Sequence, residues 1–298
     1  MTNPAQRKRA TSMAELGALQ GRMFDGKKIV ASIQAYKPQA TDVVITPYGK
    51  SGTTWTQQIF HTLRTGGDMD FDDISRVVPW IEMAGVLDMD INAAQKASPR
   101  GFKSHLSYDR MPKGAKYINV IRDPVDAAWS AFKFMEGWYI EPGTVSPDEF
   151  AMSSAEEAGY YHHFVTWWEQ RHRDDVLYLV YEHMRQDLPG TISRIAQFSG
   201  IELSDELLAT TLTNSSLAFM QQHKDRFDDA MLRGLSESEV LPPGSDSAKV
   251  RAGQSGAHGF GKVVLDRHRE LWQERVEPVT GYASYGELIS ALESESTP

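Results

Sequence analysis

The sequence contains no cysteine. That absence excludes disulfides, thiolate metal sites and a cysteine nucleophile, and it fits a reducing compartment. Long apolar runs are missing as well. The longest unbroken one is Val176 to Tyr181, far short of the roughly 20 residues that a membrane-spanning helix needs. Positive charge is not in excess: the 298 residues carry a formal charge of -9. A nucleic-acid partner favours a basic face, so none is expected, and an anionic ligand would have to meet its cations in one concentrated site. No internal repeat and no Pro- or Gly-rich linker divides the chain. The start, MTNPAQRKRATSMAELG, is basic but has no apolar core of signal-peptide length. These absences describe a cytoplasmic protein with no membrane span, a loose arm over residues 1–25 and a single domain over 26–294.

What is present is an ordinary core-forming share, 41% hydrophobic against 24% charged, arranged as strand–helix alternation. DVVIT (42–46), YINVI (117–121) and VLYLVY (176–181) are short, apolar and β-branched, as buried parallel strands are. Thr54–Arg64 places Ile59, Phe60 and Leu63 at helical spacing. Pro124 opens a helix over VDAAWSAFKFM. A further helix spans Tyr160 to Arg171, and another runs from Pro189 to the stop at Gly200. This order predicts an α/β domain with a central parallel sheet covered on both faces. Residues 66–100 read as short helices and loops. Residues 223–261, rich in Gly, Ser and charge with little periodicity, read as a long functional loop or lid.

Between the first strand and its helix lies ITPYGKSGTTWTQ (45–57). Such a turn aims successive backbone N–H groups at one point in front of the positive end of a helix. Gly52 allows close approach, Thr53 and Thr54 add hydroxyl donors, and Lys50 supplies a mobile charge. The ATP-binding P-loop needs a glycine where Val44 stands, so this loop has the physics of a phosphate site without that pattern. Trp55 can stack on a base. Arg122 and Ser130 flank the start of the helix after YINVI and form a second anion site. Two anion sites on two parallel strands match a nucleotide phosphorylated at both ends of its sugar. Plainer readings coexist: Arg122 can pair with Asp123 or Asp126, and Tyr181 can simply end a core strand.

In sequence order, ITPYGKSGTTW, RGFKSHL, VIRDPVDAAWSAFKF, VLYLVYEHM and VRAGQSG resemble the motifs of the cytosolic sulfotransferase family, over about residues 40–262. The resemblance implies a donor, 3′-phosphoadenosine 5′-phosphosulfate (PAPS), its product adenosine 3′,5′-bisphosphate (PAP), and sulfuryl transfer to a small-molecule hydroxyl or amine without a metal. It implies that Lys50, Ser51, Gly52, Thr53 and Thr54 hold the 5′-phosphosulfate. Trp55 would stack on adenine, Arg122 and Ser130 hold the 3′-phosphate, Tyr181, Ser215 and Ser216 reach the base, and Arg251 and Gly253 close over the 3′-phosphate. His105 is the expected general base, neutral near pH 7. Lys50 is expected to stabilise the leaving oxygen and Lys103 the sulfuryl oxygens, with Ser130 restraining Lys50. Trp80, Met83, Phe132, Phe134 and Trp138 fall where the family lines an apolar acceptor cavity.

The sequence departs from the family at Gly49 in place of proline, at Ala252 in place of lysine, and at Lys262–Glu270, where the usual dimer motif is unrecognisable; oligomeric state is left open. Two other readings stand beside this one: a P-loop kinase using ATP and Mg²⁺, and a non-catalytic nucleotide binder.

Overall fold

Val43, Val44 and Ile45 are fully buried and alternate between two cores. Val43 and Ile45 pack with Ile59, Phe60, Ile118 and Val120 on one side of the sheet, and Val44 packs with Phe102 and Tyr117 on the other. A strand buried on both faces must be covered by helices on both, and this one is. The computed structural model describes residues 7–156, 159–247, 249–250 and 256–296. Within it, β1 (Val43–Ile45), β2 (Gly101–Lys103), β3 (Lys116–Ile121) and β4 (Val176–Val180) form a parallel sheet in the order β2–β1–β3–β4. Their C-terminal ends therefore share one edge, where ligands of open α/β sheets bind. Among the described residues, no helix is long and apolar enough to cross a membrane.

The helix after β1 spans Thr53–Thr65 and ends on Gly66 at φ 70°. The one after β3 spans Pro124–Trp138, with Asp123 accepting from the N–H groups of Val125 and Asp126. Helices Gly159–Trp168 and Leu188–Ser199 flank β4, the second stopping on left-handed Gly200. These lie within a few residues of the sequence expectation, and Pro124 and Gly200 mark a start and a stop visible in the chain.

Three stretches differ from expectation. β2, just beyond the irregular 66–100 stretch, gives no signal in the sequence because Gly101, Phe102 and Lys103 do not form an apolar β-branched run. A Cβ at Gly101 would run into the Phe60 ring, so the glycine lets β2 lie beside β1 under that ring. Residues Pro79–Ile81 then close the edge of β2, with Lys103 N–H donating to Pro79 O and Ile81 N–H to Lys103 O. Of the arm expected over 1–25, residues 1–6 lie outside the described residues; beyond them helix Met13–Met23 buries Leu16, Leu19 and Met23, and Ala10 exchanges backbone bonds with Tyr139 and Glu141. Of the loop or lid expected over 223–261, residues 248 and 251–255 lie outside the described residues, and Ala230–Glu239 form a helix that buries Leu232 and Ser236. Its apolar stripe is too short to stand out among the surrounding glycines and charges.

Candidate functional site

The loop from β1 into helix Thr53–Thr65 turns through two left-handed residues, Lys50 at φ 69° and Gly52 at φ 94°. A left-handed lysine is strained, and such strain clusters at functional loops. Gly52 has a second constraint, since a Cβ there would meet Tyr181 Cδ2 at 2.9 Å. Among the described residues, Ser51 Oγ, Thr53 Oγ1 and Arg122 Nε are buried without a hydrogen-bond partner. Buried polar atoms are normally satisfied. Three orphaned donors around a strained turn at a helix N-terminus fit a polyanion. Thr54 follows, half-buried, on the first turn of the helix.

Arg122, at the end of β3, closes this loop from the side. Its Nη1 donates to Lys50 O at 3.0 Å, and its guanidinium lies 4.6 Å from the centre of the Tyr181 ring. Asp126 stands 3.9 Å from Arg122 Nη2 and accepts the backbone N–H of Gly256 at 2.9 Å. Ser130 lies one turn beyond Asp126 and Phe134 one turn beyond that, so all three run along one helix face. Lys50 Nζ sits 4.3 Å above the Phe134 ring, which puts Ser130 between the Arg122 end of the site and the Lys50 end. Trp55 meets Tyr181 edge to face and donates its Nε1–H to Ser215 O at 2.8 Å. The Ser215 hydroxyl turns back to Thr211 O, and the Ser216 hydroxyl caps the next helix. Arg251 and Gly253 lie outside the described residues.

The end of β2 supplies the second half. Lys103 is buried, with Nζ 3.8 Å from the Trp80 ring centre. Two residues on, the His105 ring meets the same indole edge to face at 5.2 Å. His105 is fixed at two points: its backbone N–H donates to Glu82 Oε1 at 2.6 Å, and its Nδ1 lies 2.7 Å from Pro47 O. Burial, then the Lys103 charge, push the His105 imidazole down to about 3 against the pull of that Pro47 bond. Burial likewise pushes the Lys103 ammonium down to about 8, opposed by Asp229. The site thus holds a neutral imidazole beside a cationic lysine, the pairing required of a base next to an anion stabiliser.

The five apolar candidates separate. Trp80 and Phe134 face these groups. Met83, Phe132 and Trp138 are buried in a cluster with Tyr139, Ile140 and Phe150, and Trp138 Nε1 donates to Ser236 Oγ at 3.1 Å. They form the wall behind Phe134. Sequence reasoning passed over Glu82, Asp229 and Lys249, which sit in stretches without motif or periodicity; only the fold carries them to Lys103 and His105. A separate cleft of about 500 Å³, lined in part by Val125, Leu265, His268 and Trp272, contains none of the residues assembled here.

A family model described as the sulfotransferase domain matches residues 40–268. Sulfotransferase 1 family member D1 of Rattus norvegicus is 28% identical over 266 residues, covering 84% of this chain and 88% of its own. Sulfotransferase 1B1 of Mus musculus is 30% identical over 206 residues, covering 64% and 69%. Among solved structures, a retinol dehydratase in complex with androsterone and the inactive cofactor PAP superposes with a TM-score of 0.70 at 19% identity, covering 92% of this chain and 96% of its own. Mouse SULT7A1 complexed with PAP gives 0.65 at 19% identity, covering 88% and 96%. At those identities the two structures share the fold with this chain.

Proposed function

The chain belongs to the sulfotransferase family, with PAPS as its donor, and from that premise we propose that it sulfates small, uncharged, lipophilic phenols or alcohols in the cytoplasm with His105 as general base. ATP as donor is set aside by that membership. One observation carries the reading: three orphaned anion donors at the end of β1 and β3 stand beside a neutral imidazole and a cationic lysine at the end of β2.

The donor supplies an electrophilic sulfuryl group carried on a phosphate oxygen. Lys50, Ser51, Thr53 and Thr54 would hold its 5′ end against the helix N-terminus. Arg122 would take the 3′-phosphate with Ser130. Tyr181 and Trp55, with Ser215 and Ser216 behind them, form the platform for the base. The acceptor oxygen bonds to sulfur as the bond from sulfur to the phosphate oxygen breaks, and the acceptor proton passes to His105 Nε2. Charge growing on the departing oxygen meets Lys50; charge on the sulfuryl oxygens meets Lys103. Trp80 and Phe134 give the acceptor two aromatic walls, which favour a flat, apolar molecule over a glycan.

The test is PAP release from PAPS with a panel of phenols, lipophilic alcohols, sugars and peptides. Turnover with phenols or lipophilic alcohols, lost in His105→Ala while PAP affinity persists, is the expected result. Turnover with glycans alone would reject the acceptor class, and a fully active His105→Ala would reject the base.

A further inference from the structure

Asp229 lies outside every motif, yet it reaches the centre of the site. It is buried and left-handed (φ 57°), immediately before helix Ala230–Glu239. Asp73 fixes that turn from outside, accepting from Met231 N–H at 2.9 Å and from Ser75 N–H at 2.8 Å. The Asp229 carboxylate is shared between two ammonium groups. Oδ1 stands 3.6 Å from Lys103 Nζ, and Oδ2 pairs with Lys249 Nζ. A tight charge-assisted hydrogen bond measures about 2.7–2.9 Å. Lys249 therefore takes the firm contact, and Lys103 is held near the carboxylate without being neutralised by it. Two ammonium groups thus share one carboxylate beside His105, where negative charge must be stabilised. A buried ammonium with no carboxylate nearby would shed its proton.

We propose that Asp229 is a positioning residue for sulfuryl transfer: it keeps Lys103 an ammonium ion, aimed along the face of Trp80 beside His105, while Lys249 limits how tightly Asp229 can bind it. The proposal rests on the role given to Lys103 above. The charged and titratable groups facing Lys103 are Asp229, Lys249, Asp73, Glu82 and His105. Burial is the largest influence on Lys103 and lowers it; Asp229 is the largest opposing one, and Lys249 adds to the lowering. Because the reaction needs Lys103 protonated, activity falls as pH rises through its pKa. Removing Asp229 must bring that fall to lower pH, and removing Lys249 must delay it.

The experiment is kcat/KM for PAPS between pH 6 and 10, with one good phenol acceptor, for the wild type, Asp229→Asn, Asp229→Glu, Lys249→Met and Lys103→Ala. Asp229→Asn should move the alkaline limb about one pH unit or more towards acid. Asp229→Glu should restore it, and Lys249→Met should move it the other way. A residue that only supports the fold lowers activity equally at every pH. Unshifted limbs in Asp229→Asn and Lys249→Met therefore overturn the proposal even if rates fall. If Asp229→Asn does not fold, Lys249→Met alone decides, since its shift runs in the opposite direction. Full activity in Lys103→Ala would instead remove the role of Lys103; an impaired Lys103→Ala with unshifted limbs would remove only the role of Asp229.

Discussion

The Nδ1 atom of His105 lies 2.7 Å from the carbonyl oxygen of Pro47. A carbonyl can only accept, so Nδ1 carries the proton and Nε2 presents its lone pair. The bond joins the end of β2 to the loop after β1 and selects the tautomer that a base requires.

Burial and the neighbouring Lys103 push His105 down to about 3. Its base form should therefore persist well below the ordinary histidine range. kcat/KM for the acceptor should stay flat as pH falls from 7 through 6.5 to 5, with no acid limb near 6.5. His105→Ala should lose about a hundredfold or more in kcat. A limb near 6.5 that disappears in a slow but active His105 variant would contradict the depressed value.

Arg122 joins the Lys50 carbonyl to the Tyr181 ring and keeps a buried Nε without a partner among the described residues. PAP should bind about tenfold or more tightly than AMP, a gap of about 1.4 kcal/mol. Arg122→Ala should close most of that gap while leaving AMP affinity little changed. Titration calorimetry showing equal affinities in the wild type would remove the 3′-phosphate assignment.

Two glycines in one loop should behave differently. Gly52 has φ 94°, and a Cβ added to it would lie 2.9 Å from Tyr181 Cδ2, whereas one added to Gly49 would meet nothing within 4 Å. Gly52→Ala should cost about 1–2 kcal/mol of stability from the left-handed backbone alone and weaken PAP binding further. Gly49→Ala should stay within about 0.5 kcal/mol of the wild type. Denaturant melts of the two variants make the comparison, and equal effects would mean the loop is not built as described.

Burial is the leading cause that depresses His61 to about 4, His163 to about 3 and His268 to about 4. Unfolded, each takes up a proton near pH 6.5, so the unfolded state binds more protons below that value. The stability these groups contribute is present above pH 6.5 and is lost as pH falls towards 4. Melting temperature should drop steeply between pH 6.5 and 4.5, and His268→Gln should flatten part of the slope. A melting temperature independent of pH across that interval would contradict neutral burial of these rings.

The anion loop, strands β1, β3 and β4 and the main helices are legible in the chain before it folds, while Lys103 and His105 are singled out by the resemblance of RGFKSHL to the family motif. The loop, strands and helices are local chemistry. A strand, a turn and a helix start aim backbone amides at one point whatever lies beyond them, and two residues two apart on an extended segment face one way. Packing between distant elements settles the rest. Gly101 is needed beside Val43 only because the Phe60 ring lies over that position. Glu82 reaches the His105 backbone only because Pro79–Ile81 close the edge of β2. Phe134 meets Lys50 while Phe132 and Trp138 turn into the wall behind, a choice made by helix phase and neighbours, because aromatic composition is the same for pocket and core. Asp229 meets Lys103 across a large separation in the chain, and Lys249 joins it there. A contact of that kind is set by how the elements pack, and no periodicity, cap or turn residue in the local sequence encodes it.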